Sequence, residues 1–352
     1  MSHRVAIIGA GIGAEHLHGY RQLPGRFDVT TVCDLSTDRA ESLVGGHQAI
    51  SVTDSLDDVL GDAAIDVVDI CLPPHLHFEV ATRALDAGKD VVCEKPLVCS
   101  LRDMDRLIAK SEATGRSVFP VFQYRYGKAA SQLRALKDAG LTGKPFVGTL
   151  ETHWNRGVDY YDVGWRGTWA GEQGGAVLGH AIHLHDWLSY ALGPVKSVFA
   201  DTATRVNDIE FEDCAALSIR MENGALVTSS VTLGAANDTS RMRFIFEGLT
   251  AESGRAPYAP ADDVWTYVAR SPFEQSAIES VLAKVADCPS GFAGLFEAVA
   301  DTLDGNPGHE VTLLDARRSV EFVTAIYASA RANAPVDLPL GEDHPLYAGW
   351  LP

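Results

Sequence analysis

Val5-Ala6-Ile7-Ile8-Gly9-Ala10-Gly11-Ile12-Gly13-Ala14 stands within the first fifteen residues, and its reading decides the fold. The four apolar residues form a buried strand, and the run from Ala14 onward has helical patterning. Between them lie three glycines in the spacing that a pyrophosphate-binding turn requires. Gly9 permits the tight turn, Gly11 lets a phosphate approach the backbone, and a small residue, Gly13 or Ala14, lets the helix pack on the strand. Ile12 lies at the mouth of the helix, whose unpaired N–H groups and positive dipole end attract anions. About 20 residues further on, Asp34 ends the second apolar run, where a carboxylate can accept hydrogen bonds from ribose hydroxyls. A carboxylate there repels a 2′-phosphate, so NAD is the expected cofactor. Ser36, Thr37 and Arg39 follow closely and keep NADP open as an alternative.

Outward from this loop, apolar strand-like runs at 4–8, 29–33, 67–71, 91–93 and 117–120 alternate with helical patterns at 14–22, 36–43, 56–60, 75–87 and 101–113. Strands separated by crossover helices predict a parallel, doubly wound sheet covered on both faces. After residue 122 the texture changes. A helical pattern at 130–139 precedes a strand at 146–153, an aromatic loop, and a helical block at 174–192. Strand runs at 197–205, 214–221, 226–232 and 241–247 follow, separated by turns such as Glu222-Asn223-Gly224, and two helices near 291–303 and 312–332 finish the chain. Consecutive strands joined by Asn-Gly turns indicate an antiparallel sheet. The expected architecture is an α/β Rossmann domain over residues 1–121 and an α+β domain over 122–352 with a large, mostly antiparallel open sheet. The open face of that sheet is expected to be covered in a homo-oligomer, a dimer or tetramer.

Composition narrows the function classes. The 352 residues are 46% hydrophobic and 22% charged, as in globular proteins. The formal charge of −18 disfavours nucleic acid and anionic membrane as partners. No apolar run is long enough to span a bilayer. Six scattered cysteines without a CxxC pair fit a reducing, cytoplasmic setting.

Two further strand ends carry unusual residues: Leu72-Pro73-Pro74-His75-Leu76-His77 and Glu94-Lys95-Pro96. Ligands of open α/β sheets sit at the carboxyl ends of the strands, so these turns and the glycine loop are expected at one crevice. Lys95-Pro96 is a candidate cis peptide.

The glycine loop with His16, Asp34, Pro73-Pro74 with His77, Glu94-Lys95-Pro96, Gln123-Tyr124-Arg125-Tyr126, Trp165-Arg166-Gly167 before Gly174-Gly175, and His183 with Asp186 together resemble the Gfo/Idh/MocA family. That group is named for glucose–fructose oxidoreductase, inositol dehydrogenase and a rhizopine-catabolism protein. The resemblance implies reversible hydride transfer between a nicotinamide and a hydroxyl-bearing carbon of a small, carbohydrate-like substrate. It implies cofactor contacts from Gly9, Gly11, Ile12, Gly13, Asp34, Pro73, His77, Glu94 and Lys95. Lys95 would bind the substrate oxygen and relay its proton, with His183 as acid/base. Family members also carry an aspartate four residues before that histidine. Here Gly179 occupies the position, and the neighbouring His180 is the expected substitute. Tyr124, Arg125, Arg156, Tyr160, Trp165 and Arg166, with His180 and His183, are the expected substrate contacts, aromatic rings stacking on sugar faces and guanidinium groups gripping hydroxyls or a carboxylate. His180, His183, His185 and Asp186 follow no recognised zinc spacing, and no metal is expected. A redox-assisted glycosidase with tightly held NAD and a non-catalytic dinucleotide-binding regulator are the alternatives, since the family includes both.

Overall fold

The computed structural model describes residues 2–46 and 49–352. The first elements are β1 (His3–Ile8), α1 (Gly13–Arg21), β2 (Phe27–Cys33), α2 (Thr37–Val44), β3 (Ser51–Thr53), α3 (Leu56–Gly61), β4 (Val67–Ile70), α4 (Pro74–Asp86), β5 (Asp90–Cys93), α5 (Leu101–Thr114) and β6 (Val118–Pro120). Next come α6 (Lys128–Asp138), β7 (Pro145–Asn155), α7 (Val158–Tyr161), α8 (Trp169–Glu172), a π-helical segment Val177–Ala181, α9 (Ile182–Leu192), β8 (Val195–Ala203), β9 (Cys214–Met221), β10 (Leu226–Thr232), β11 (Gly234–Phe246), β12 (Leu249–Glu252) and β13 (Thr266–Ala269). The chain ends with α10 (Gln275–Leu282), α11 (Gly291–Leu303), α12 (Leu313–Ala332) and β14 (Val336–Asp337).

The first six strands form one parallel sheet in the order β3-β2-β1-β4-β5-β6, the Rossmann order. Its central strands are largely apolar because helices cover both faces; Val5, Ala6, Ile7, Val67, Val68, Val91 and Val92 have no exposed surface. The helices begin as their sequences dictate. Ser36, Ser55 and Ser100 cap α2, α3 and α5 by accepting from the N–H three residues on.

The second sheet has eight strands in the order β13-β12-β11-β7-β10-β9-β8-β14, antiparallel except for the β7–β10 pair. Strict alternation in β9 and β10 buries one face, with Leu217, Ile219, Val227 and Val231 inward, while Ala216, Ser218, Arg220, Leu226 and Thr228 are exposed.

The chain separates into two compact units, residues 1–122 with 292–317 and residues 123–291 with 318–352. The expected division, with everything after 121 in the second domain, therefore needs correction for 292–317. Aromatic packing is the reason. Phe296 stacks on Tyr20 of α1 at 3.8 Å, and Phe292 lies 4.6 Å from the His16 ring. Gly19 makes room for both, since a Cβ there would meet Phe292 and Phe296 carbons at 2.9 Å. Arg26 on Asp301 at 2.8 Å and Arg317 on Asp105 at 2.7 Å hold the middle and the end of this returning segment.

The strands missing from the expected set, β3, β12, β13 and β14, are two to four residues long. These short runs lack both periodicity and the continuous apolar stretch that marks the equally short β4, β5 and β6. The expected helical block 174–192 is broken by the π-helical segment.

Phe296 is fully buried, so Phe296→Ala is expected to destabilise the first unit by about 3–5 kcal/mol. Denaturant unfolding followed by Tyr and Trp fluorescence measures this, and a loss below about 1 kcal/mol would contradict the assigned packing.

Candidate active site

In the first unit the glycine loop has the geometry its sequence anticipates. Gly9 has φ 104°, and a Cβ there would lie 2.4 Å from the Cys71 carbonyl oxygen, so only glycine fits. A Cβ at Gly13 would meet the Ile7 side chain at 2.8 Å, which is the close helix–strand contact. At Gly11 a Cβ would meet nothing within 4 Å, so this backbone faces open space. Ile12 is half-exposed, and no side chain caps the start of α1. The uncapped helix end and the open Gly11 backbone fit an anionic pyrophosphate.

Asp34 ends β2 and accepts from the Ala10 N–H, the Ser36 N–H and the Arg39 guanidinium, each at 2.8 Å. Burial works to raise its pKa, but these three donors hold it below the ordinary carboxylate value. An ionised carboxylate tied to the glycine loop is the group that ribose hydroxyls require. Arg39 is its largely exposed partner.

The Lys95–Pro96 peptide is cis, as its sequence indicated. His77 is fully buried and bridges two strand ends, with Nδ1 2.7 Å from the Pro96 carbonyl oxygen and Nε2 2.7 Å from that of Leu72. Burial lowers its pKa, although its two carbonyl partners work to raise it. Pro73 precedes α4 in extended conformation. Glu94 Oε2 accepts the Lys95 N–H at 3.0 Å, while Oε1 lies 3.2 Å from His16 Nε2. His16 Nδ1 donates to Asp69 at 2.8 Å. Lys95 itself is half-buried. The glycine loop, the Leu72–Pro74 turn and the Lys95–Pro96 turn thus meet at the carboxyl ends of β1, β4 and β5, as expected for this sheet.

In the second unit the expected substrate residues fall into two groups. Around His183, Tyr124 stacks at 4.2 Å and 18°, and Trp187 donates its indole N–H to the Tyr124 carbonyl at 2.7 Å. Arg125 makes a bidentate pair with Asp186, Nε and Nη2 at 2.7 and 2.6 Å, both residues buried. Arg125 therefore locks the turn Gln123–Arg125 onto α9. The second group surrounds His180. Trp154 meets its ring edge-on at 5.2 Å, and Tyr160 lies 5.7 Å away. Five side chains alternate ring and cation: Trp154, Arg156, Tyr160, Arg166, Trp165, with guanidinium-to-ring distances of 4.9, 5.4, 3.9 and 4.6 Å. Arg156 pairs with Asp238 at 2.8 Å and donates to the Tyr258 hydroxyl at 2.9 Å, and Arg166 pairs with Glu172 at 3.3 Å. His185 belongs to neither group. It bonds Ser229 of the sheet, and burial lowers its pKa to about 3.

His180 lies in the π-helical segment and His183 just beyond it, in α9. The wider π turn alters the facing of residues around it. Gly179 lies in this segment, and a Cβ there would meet nothing within 4 Å. Glu212, which sequence reasoning passed over, anchors the segment. Its carboxylate accepts from the Val177 N–H at 3.0 Å and the Tyr327 hydroxyl at 3.1 Å, and that hydroxyl accepts from the Gly175 N–H. Asp238 and Tyr258 were missed as well. Each meets its partner across a long sequence separation, which no local spacing records.

Residues 3–122 match the family model described as an oxidoreductase family with NAD-binding Rossmann fold, and residues 130–252 match the GFO/IDH/MocA C-terminal domain. The chain belongs to the Gfo/Idh/MocA oxidoreductase family, and its first domain is the family's NAD-binding domain. It is 34% identical over 149 residues to inositol 2-dehydrogenase 3 of Saccharopolyspora erythraea, covering 42% of this chain and 44% of that one. It is 31% identical over 209 residues to D-glucoside 3-dehydrogenase of Escherichia coli, covering 58% of each chain. These matches span about half the length of the curated relatives. Among solved structures, the WlbA dehydrogenase of Bordetella pertussis, in complex with NADH and UDP-GlcNAcA, superposes with a TM-score of 0.84 at 26% identity, over 97% of this chain and 100% of that one. No helix among the described residues is long and apolar enough to cross a membrane.

Burial pushes the Glu212 carboxyl up to about 7, so the folded chain keeps this proton above the ordinary value of 4.5, where the unfolded chain has lost it. Stability therefore falls as pH rises through that window. At roughly 1.4 kcal/mol per unit of pKa the loss is on the order of 3 kcal/mol. Glu212→Gln is expected to flatten this slope in thermal melts between pH 5 and about 7.5; an unchanged slope would contradict it.

Proposed function

We propose that this protein is an NAD-dependent dehydrogenase that reversibly oxidises a hydroxyl-bearing carbon of a sugar, cyclitol or sugar derivative. The observation that carries the reading is Lys95, set beside the glycine loop at the strand ends by the Glu94 carboxylate and the His77 bridge. Bound NAD supplies the hydride acceptor. The names of the relatives, an inositol dehydrogenase and a glucoside dehydrogenase, support this substrate class.

In this reading the Lys95 ammonium holds the substrate oxygen and His183 takes or returns the hydroxyl proton. Stacking on Tyr124 holds the His183 ring in one orientation. His180 stands in for the aspartate that family members carry where this chain has Gly179. Tyr160 and Trp165 offer ring faces to the substrate. Arg156 and Arg166, already paired with Asp238 and Glu172, hold those rings in place and present further N–H groups to hydroxyls. Asp34 holds the adenosine ribose and favours NAD over NADP. The exposed face of β9 and β10 is the proposed contact with a second copy of the chain.

The test is a panel of neutral sugars, cyclitols and sugar acids with NAD and NADP, followed by nicotinamide absorbance. Reduction of NAD by at least one panel member is expected. Glycoside cleavage with no net NADH would select the redox-assisted glycosidase instead. Lys95→Ala is expected to lower kcat by about 10²- to 10⁴-fold while dinucleotide binding persists; unchanged turnover refutes its role. Asp34→Ala is expected to weaken NAD binding about 10- to 100-fold and NADP binding less, and equal losses would undo the cofactor preference.

A further inference from the structure

Beneath the glycine loop lies a line of charged groups that the proposed reaction does not use directly. His16, on the inner face of α1, and Asp69, in β4, have no exposed surface, and Glu94 at the end of β5 is nearly as buried. Both ring nitrogens of His16 face carboxylates, Nδ1 on Asp69 at 2.8 Å and Nε2 on Glu94 at 3.2 Å. Carboxylates only accept hydrogen bonds, so this arrangement calls for a proton on both nitrogens. The ring is then an imidazolium, and a deeply buried cation persists only when paired as this one is. Glu94 passes the line onward, because its second oxygen accepts the Lys95 N–H at 3.0 Å.

We propose that His16 is a positioning residue for Lys95, acting as a fixed buried cation that orients Glu94 and offsets part of the charge Glu94 presents to the lysine ammonium. The inference deepens the dehydrogenase reading and rests on it for the role of Lys95. The other titratable groups facing this line leave the charge pattern intact. The Cys71 thiol, 3.7 Å from Asp69, is pushed up to about 12 by burial, and the Cys93 thiol is also raised by burial, so both are neutral. Burial and the nearby Asp69 raise the Tyr20 hydroxyl well above its ordinary value. Burial lowers the pKa of His77, whose ring nitrogens bond the Pro96 and Leu72 carbonyl oxygens rather than a member of this line. Phe292 and Phe296 cover His16 with rings that carry no charge. Two anions, Asp69 and Glu94, therefore stand with two cations: His16 lies between them, and the Lys95 charge acts on Glu94. With His16 neutralised, Glu94 would act on Lys95 without that compensation and hold its proton more tightly.

Full-length protein labelled with ¹⁵N-histidine and ¹³Cε-lysine tests this by NMR titration alongside pH profiles of kcat/KM. In the wild type, the His16 ring should stay doubly protonated well past the ordinary midpoint near 6.5. In His16→Gln, the Lys95 midpoint and the acid limb of kcat/KM should both move up by about one pH unit. Glu94→Gln should move both downward, and the double variant should return close to the wild type. Opposite signs from two neighbouring substitutions are not expected of general loosening. Should His16→Gln fail to fold, the wild-type His16 titration and the Glu94→Gln shift still decide the matter. Loss of a His16 ring proton below about pH 8, or a Lys95 midpoint that neither substitution moves, overturns the proposal. Absence of turnover on every substrate, with the NMR shifts as described, would count against the dehydrogenase reading alone.

Discussion

A histidine with no access to water, held between two carboxylates, imposes the tightest constraint in the first unit. His16 stands on α1, Asp69 in β4 and Glu94 at the end of β5, so a single ring ties the helix after the glycine loop to two strand ends. Removing any one member would leave a buried charge without its counter-charge, an expensive state in a low-dielectric interior. The glycine loop can approach Cys71 as closely as it does because this cluster keeps α1 against the sheet, and the same Glu94 that completes it holds the peptide of Lys95. Rossmann sheets place ligands at strand ends by topology. In this chain electrostatics holds the strand ends in register with one another.

The second unit meets a comparable demand by different means. Its histidine-bearing helix is held by the buried Arg125–Asp186 pair and by the Trp187 bond to the backbone of Tyr124. The π-helical segment just before it is held by Glu212, whose backbone and side chain meet the N–H groups of Ala176 and Val177. Single-turn π segments are costly departures from α-helix and recur where function sets the facing of side chains. The alternating stack of three rings and two guanidinium groups is rigid for a related reason. Each cation is fixed at its faces by aromatic rings and at its edge by a carboxylate, so few conformations remain to lose when a ligand binds.

The segment 292–317 shows where linear order misleads. Its apolar helix, Gly291–Leu303, reads as part of the region that precedes it, and nothing local marks it as covering α1. Its partners, Tyr20 and His16, are some 270 residues away in sequence and are visible only as a helix face kept small at Gly19.

From sequence alone came the parallel sheet, the glycine loop with Asp34, the cis Lys95–Pro96 turn, and the run of histidines leading into α9, because each depends on local patterning or on one residue type that uniquely suits its backbone. The short strands β3, β12, β13 and β14 left no periodic trace. The π-helical segment, the Glu212–Tyr327 bond, the Arg156–Asp238 pair and the Arg125–Asp186 lock were decided by tertiary structure, since their partners lie 61 to 115 positions apart. Most telling is His16: spacing placed it on the first helix, but only folding could bring Asp69 and Glu94 to its two nitrogens and turn a neutral-range side chain into a buried cation.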